Sequence, residues 1–363
     1  MIFVQAMTRH LLLLIFGLSA LSPHAQTSRK YSNEFLNIGV DAAALGMASA
    51  VVASSGDVHS SYWNPAGLLA LKDQQMGLMH ANYFANIANY DYASFAMPLD
   101  QDRAIGLSLI RFGVDNILNT TQLIDNQGNI NYDNITLFSA ADYALTLSFA
   151  KRLLLSGIEI GGNAKIIRRK IGNFANSWGF GFDLGLQLKA QNNWQFGLMV
   201  RDITTTFNTW QVNQEAFGAI ADAVFGQNQE APQNTELTLP KAQLGVARLW
   251  EFRQDFNLKA ELDFNVRFSQ TNDLISGSGF GLTPALGVEL GYLDLVYARL
   301  GAGSWQKSVD IFGKTTTEFQ PNLGLGFKYR GIKIDYALTD IGDQSTALYS
   351  NIFSLTIDWS YFR

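Results

Sequence analysis

The 363-residue chain contains no cysteine, which excludes disulfides, thiolate metal sites and a cysteine nucleophile. Histidine is almost as scarce, with four in all, and only His59 and His80 lie beyond the first 25 positions. No G-x-S-x-G occurs, and neither histidine has a serine or metal-ligand partner at a recognisable spacing. The chain therefore reads as a non-enzyme without metal or cofactor. Its formal charge of -5 is small and suggests no nucleic-acid partner. Long apolar runs are also missing. After Leu21 no stretch could form a transmembrane helix, so a membrane-spanning reading has to be a β reading.

What the chain does have is alternation. In Phe256 to Phe268, the positions Phe256, Leu258, Ala260, Leu262, Phe264, Val266 and Phe268 are apolar. Between them stand Asn257, Lys259, Glu261, Asp263, Asn265 and Arg267. Period two is the signature of a strand, and this polar face carries more charge than packing against a second sheet could hide. One face therefore meets water and the other meets something oily. The pattern recurs in 178–189, 323–330 and 332–339. Apolar residues at 47%, aromatics at 12% and 32 glycines suit barrel strands with interfacial girdles.

Arg9 and His10 precede the apolar run Leu11 to Leu21, and Ala25 offers a small residue for cleavage. This pattern predicts a secretory signal over 1–25 and a mature chain starting near Gln26. No cysteine follows the run, so no lipidated N-terminus is expected.

Strands are expected near 75–84, 89–98, 103–113, 141–151, 154–169, 177–189, 193–203, 239–251, 254–268, 280–293, 294–305, 319–330, 331–340 and 347–361. Short turns such as Arg152-Leu153, Leu293-Asp294 and Arg330-Gly331 alternate with longer loops, as in outer-membrane barrels. The expected fold is all-β, a transmembrane antiparallel β-barrel of about fourteen strands over 73–363, with both termini in the periplasm. Outer-membrane lipid would surround it, and charges of both signs on the lumen face should pair across strands. An outer-membrane lipase built on this barrel would have only His80 as a candidate base. The last strand sets Phe353, Leu355, Ile357, Trp359 and Tyr361 on one face. It resembles the aromatic signal read by the outer-membrane assembly machinery, with Arg363 added after the terminal aromatic.

Residues 26–72 read differently, as a hatch or plug. Asp41 to Val52 is rich in small residues that permit close packing. Pro65 biases Asn64 away from helix, and an asparagine side chain can close a local turn, so Trp63-Asn64-Pro65-Ala66 should form a compact corner. Phe35-Leu36-Asn37-Ile38-Gly39, Ala42-Ala43-Ala44-Leu45-Gly46-Met47 and Tyr62-Trp63-Asn64-Pro65-Ala66-Gly67-Leu68 together resemble the N-terminal signature of the PorV/PorQ family. That family is in turn similar to FadL-type outer-membrane transporters, whose hatch carries an Asn-Pro-Ala motif. Gly179 to Gly185 resembles the family's mid-barrel segment.

The resemblance implies a fourteen-stranded barrel with a periplasmic hatch, serving the type IX secretion system of Bacteroidetes. Its partners would be the large translocon barrel and secreted cargo proteins bearing C-terminal signal domains. The alternative is a FadL-like passive transporter of hydrophobic small molecules. The resemblance places no cargo-contact residues on this sequence.

The longest loop, Thr204 to Thr238, holds Phe217, Ile220, Ala221, Val224 and Phe225 at helical spacing. This predicts a short amphipathic helix at the barrel mouth, either a lid or a surface for a partner or ligand. Asp125 to Asn134 alternates oxygen ligands but lacks the spacing and bidentate glutamate of a calcium loop. Gly179-Phe180-Gly181 and Gly324-Leu325-Gly326 lie in alternating strands with no helix following, so these glycines read as small lumen-facing residues.

Overall fold

The computed structural model describes residues 32–84, 86–124, 127–153, 157–214, 235–252, 255–269, 271–309, 313–339 and 349–362. The alternating segments form fourteen antiparallel strands in one closed barrel. They are β1 (Gln75–Tyr83), β2 (Ala88–Pro98), β3 (Arg103–Asn119), β4 (Thr136–Arg152), β5 (Ile158–Ile171) and β6 (Ala175–Lys189). Next come β7 (Trp194–Arg201 continued by Thr206–Val212), β8 (Thr235–Thr238 continued by Lys241–Phe252), β9 (Phe256–Arg267) and β10 (Gly281–Tyr292). The last four are β11 (Val296–Val309), β12 (Thr315–Tyr329), β13 (Ile332–Thr339) and β14 (Ser350–Asp358). Closure comes from β1 pairing with β2 on one side and with β14 on the other, in register from Gln75 opposite Asp358 to Asn82 opposite Asn351. Among the described residues the ring has no edge strand, as a sheet in hydrocarbon requires, and only the loop-end extensions of strands such as β3 and β11 pair on one side alone.

The two faces are sorted as the alternation demands. Leu262 is 37% exposed while its neighbours Glu261 and Asp263 are each 1% exposed. Likewise Phe180, Phe182 and Leu184 point out, and Asp183 points in. Lumen charges pair across strands. Arg299 meets Glu289 at 2.5 Å and Asp335 at 2.7 Å, Lys259 meets Glu289 at 3.0 Å, and Lys165 lies 2.7 Å from both Asp183 and Asp202.

The structure departs from the expected strand limits in several places: β5 starts only at Ile158, β8 opens already with Thr235–Thr238, and β11 and β12 run on to Val309 and back from Thr315 past a register shift between Gly303 and Gln306. β3 and β4 run on to Asn119 and back from Thr136, past a bulge between Val114 and Ile117. A bulge inserts a residue and breaks the period, which hid the extension in the sequence. β7 bends at 202–205, where Asp202 and Thr205 have positive φ. Beyond the bend it continues against β6 and the start of β8. β14 stops at Asp358, and Trp359–Tyr361 close as a short 3-10 turn, with Asp358 accepting from the Ser360 amide. The signal segment expected over 1–25 lies outside the described residues.

One barrel end carries only tight connections, such as β2 to β3 and β12 to β13, together with the start of β1 and the end of β14. We call it the turn end and the opposite one the loop end.

Candidate functional site

Residues 32–72 lie inside the barrel and fill its waist, and they constitute the site. Two short helices, Ala42–Gly46 and Ser60–Trp63, and two 3-10 segments, Glu34–Asn37 and Pro65–Ala70, make up this hatch. Helices this short are not stable alone, so contacts with the wall must hold them.

The four residues predicted as the hatch motif come together at one corner. Asn64 is completely buried and extended, at φ -161° and ψ 104°. This is the backbone region that a following proline favours. Its side-chain oxygen accepts from the Ala66 amide at 3.3 Å, and Pro65 occupies the first turn of the 3-10 segment, where its missing N–H costs nothing. The Asn64 amide nitrogen donates to Val52 O at 2.9 Å within the hatch and to Leu186 O at 3.0 Å on β6. One side chain thus closes the turn and fastens it to the wall. The Trp63 indole donates to Val40 O at 3.0 Å, and Arg201 of β7 donates to Tyr62 O at 3.0 Å while its guanidinium lies 4.3 Å over the Tyr62 ring.

Other fastenings left no trace in the local sequence. Asp263 accepts from the Val51 and Val52 amides at 3.1 Å, and Glu261 accepts from the Ala53 amide at 2.6 Å. These two carboxylates hold hatch backbone, whereas the sequence suggested that they pair with cations. Asn163 donates to Ser61 O at 3.0 Å and Gln187 to Ser55 O at 2.9 Å. Asp41 caps the Ala42–Gly46 helix by accepting from the Ala43 and Ala44 amides, and it accepts from the Ser354 hydroxyl of β14 at 2.8 Å. Burial opposes its charge, but His59, Lys333, the Ser354 hydroxyl and Arg299 together hold the Asp41 carboxyl below its ordinary value.

Wall glycines let the hatch come this close. A Cβ at Gly161 would stand 2.5 Å from Ala66 N and from Pro65 C, and one at Gly287 would stand 2.7 Å from Met47 Cβ. Gly46 in the hatch faces Gly324 of β12, backbone against backbone. The sequence could have signalled this, because lumen-facing positions of β5, β6, β7, β8, β10, β11 and β12 all carry glycine where the hatch passes (Gly161, Gly185, Gly197, Gly245, Gly287, Gly301 and Gly324).

The hatch separates cavities of mixed polarity. At the loop end one of about 200 Å³ lies among Glu34, Arg201, Lys241, Gln243 and Arg267, and another of about 340 Å³ among Asn37, Tyr83, Gln320, Asn322 and Thr339. At the turn end a chamber of about 300 Å³ is lined by Asp41, Asp57, His59, Lys259, Glu289, Arg299, Lys328, Lys333 and Asp358. Asp41, Asp57 and His59 bring ligand-type atoms within 4.8 Å of one another, a proximity invisible at their sequence spacing. His59 also reaches the wall, with Nε2 3.1 Å from the Thr356 hydroxyl. His80 is on the opposite side of the wall, facing out, with Nδ1 2.7 Å from Asp91. The predicted loop residues Phe217, Ile220, Val224 and Phe225 lie outside the described residues.

Among solved structures the chain is similar to a monoaromatic hydrocarbon channel, CymD, at 11% identity and a TM-score of 0.54. It is also similar to the Pseudomonas putida toluene transporter TodX at 12% and 0.53. Each match covers 88% of this chain and 98% of the other. At such identities the likeness establishes the fold, a FadL-like barrel. None of the curated proteins matches the chain. The model of the type IX secretion system protein PorV matches residues 24–219, which include the whole described hatch and β1 to β7. With its barrel, its internal hatch and this match over more than half its length, the chain belongs to the PorV family of outer-membrane proteins.

Proposed function

We propose that this barrel is a cargo-handling component of type IX secretion. It receives proteins bearing C-terminal signal domains from the translocon barrel and passes them to the cell surface. The family match over residues 24–219 carries this reading. The lumen supports it. A passive transporter of hydrophobic molecules needs an apolar path, whereas the cavities on both sides of the hatch are lined with Glu34, Arg201, Lys259, Glu289 and Arg299. Moving the hatch would break the buried hydrogen bonds that the Val51, Val52 and Ala53 amides donate to Asp263 and Glu261, and a buried group left without its partner costs about 1–3 kcal/mol. The working surface is then the loop-end mouth, facing outward from the cell, with both termini in the periplasm and a signal segment removed from the N-terminus.

From their helical spacing in the sequence, Phe217, Ile220, Val224 and Phe225 of the longest loop, outside the described residues, are the candidate contact residues. They would meet cargo or the translocon. The reading is tested by purifying the tagged protein from solubilised outer membranes and identifying what accompanies it by mass spectrometry. Recovery of a large translocon barrel or of proteins sharing a C-terminal signal domain is the expected result. Recovery of the barrel alone with bound lipid or fatty acid would overturn it in favour of a FadL-like transporter. Replacing Phe217 and Phe225 with serine should lower cargo display while barrel assembly stays normal, and unchanged display would remove the loop from the mechanism.

A further inference from the structure

Three like charges stand in a row on the lumen wall at the loop end. Arg201 of β7 is directly opposite Lys241 of β8, and Lys241 is directly opposite Arg267 of β9. Arg267 shares the inward parity of Glu261 and Asp263, so the row faces the lumen. Like charges at directly opposed positions destabilise a sheet. By contrast Lys259, Glu289 and Arg299 alternate in sign across β9, β10 and β11.

The nearby carboxylates do not neutralise the row. Among the described residues neither Arg201 nor Lys241 has a carboxylate in ion-pair contact. Arg201 donates to neutral groups, Gln243 Oε1 at 3.0 Å and Tyr62 O at 3.0 Å. Arg267 reaches Asp273 at 4.0 Å, and its side chain is 52% exposed at the rim. Asp202, next to Arg201, is held by Lys165 at 2.7 Å and by the Thr206 hydroxyl at 2.6 Å. The cavity of about 200 Å³ ends on this row, and its described lining sets three cations against one carboxylate, Glu34, which accepts from the Asn37 side chain at 2.7 Å. Thr283 lines the same cavity, 7% exposed, with a hydroxyl that has no hydrogen-bond partner. Free positive charge and a buried unpaired hydroxyl together call for an anion.

The rest of the lining narrows its kind. Leu36, Trp63, Val266 and Ala285 stand beside the cations, and an inorganic anion would leave them unused. The volume equals roughly seven waters and is below the roughly 300 Å³ at which pockets for whole organic ligands begin. A ligand therefore enters by one end and leaves the remainder in the mouth. A fatty acid entering by its carboxylate would keep its tail among Glu34, Asn37 and Arg267, where each methylene left in water forgoes its burial. A polypeptide entering by its C-terminus leaves a hydrated chain outside without that cost.

We infer that this cavity receives the C-terminal carboxylate of a polypeptide. Lys241 and Arg267 bind the carboxylate, Arg201 adds its charge while seated on the hatch, the Thr283 hydroxyl donates, and the apolar side takes the last side chain. Capture of a terminal carboxylate by pre-placed donors is a recurring mode of peptide recognition. The choice of a polypeptide rests on the secretion reading, in which the signal domain of the cargo lies at its C-terminus.

The test follows the fluorescence anisotropy of a short labelled peptide, copied from the C-terminal end of a secreted protein bearing such a domain, on the detergent-purified barrel. The peptide with a free carboxylate should bind tighter than the same peptide ending in an amide by roughly tenfold or more, the worth of one charge-assisted contact. Lys241→Gln should remove this preference and Lys241→Arg should keep it, with folding checked by the gel shift of the unheated barrel. If Lys241→Gln fails to fold, Arg267→Gln at the rim gives the same reading. Equal binding of acid and amide, a preference untouched by the substitutions, no binding of the peptide, or binding of palmitate in its place would each overturn the inference. Recovery of cargo and translocon with the wild-type barrel from solubilised membranes, measured in parallel, reports on the secretion reading alone and so tells the two failures apart.

Discussion

Gly161→Ala adds one methyl group at the closest approach of wall and hatch. Its Cβ would lie 2.5 Å from Ala66 N, 2.5 Å from Pro65 C and 2.9 Å from Pro65 Cβ. These are backbone and ring atoms, so no side-chain rotation relieves the clash. The barrel ladder holds β5 on both sides, and the hatch must be what shifts. Overpacking of this kind costs about 1–3 kcal/mol, which at about 1.4 kcal/mol per tenfold raises the population of the displaced hatch about 5- to 140-fold. The assay exploits the absence of cysteine. Ser61 is fully buried and its hydroxyl has no hydrogen-bond partner, so Ser61→Cys introduces a reporter without breaking a polar contact. Maleimide labelling of Ser61→Cys in detergent-purified barrels proceeds through the opened state, and its rate follows that population. Gly161→Ala should accelerate labelling by the factor above while the heat-modifiable gel shift of the barrel persists. An unchanged rate would refute the claim that wall glycines set the seating of the hatch.

The Asn64 corner should behave in a graded way. Asn64→Ala removes the donor to the Leu186 carbonyl, one of the two donors to the Val52 carbonyl, which keeps Gln187, and the acceptor of the Ala66 amide, at about 1–3 kcal/mol for buried groups. Asn64→Asp does worse by aiming a carboxylate at the same two oxygens, and Ser61→Cys labelling should rank the variants in that order. The Asp41 carboxyl gives the hatch a pH dependence whose sign follows from its lowered pKa. Its contribution to stability is fully present above the ordinary value of 3.8 and is lost as pH falls below it towards the folded value. Reporter labelling should therefore stay flat from neutral pH down to about 4 and rise only below that. Asp41→Asn should remove that component of the acid response, as read by thiol labelling with an acid-tolerant disulfide reagent.

Period-two alternation is a property of a few consecutive residues, and so it was fully written in the chain. Phe256 to Phe268 announced its strand, its two faces and the need for water on one of them, and turn residues such as Arg330-Gly331 marked the connections. Excluding helical spans and thiol chemistry required only the absence of the necessary residues. The bulge after Val114 and the bend at 202–205 stayed hidden because each disrupts the very period by which a strand is recognised. The Asn64-Pro65 corner was legible for the opposite reason, since its backbone preference and its turn-closing bond are local.

What fills the lumen was decided only by closure of the barrel. Glu261 and Asp263 looked like members of a charged ladder. In the closed barrel they meet the amides of Ala53, Val51 and Val52, some 208 to 212 positions away in sequence. Gly161 and Gly287 read as ordinary small residues until Pro65, Ala66 and Met47 arrived against them. Arg201, Lys241 and Arg267 are three unrelated residues until the strand register aligns them on the lumen wall. Which residues face in or out is fixed locally by the pleat, but what waits on each side depends on which strands neighbour one another and on where the hatch comes to rest.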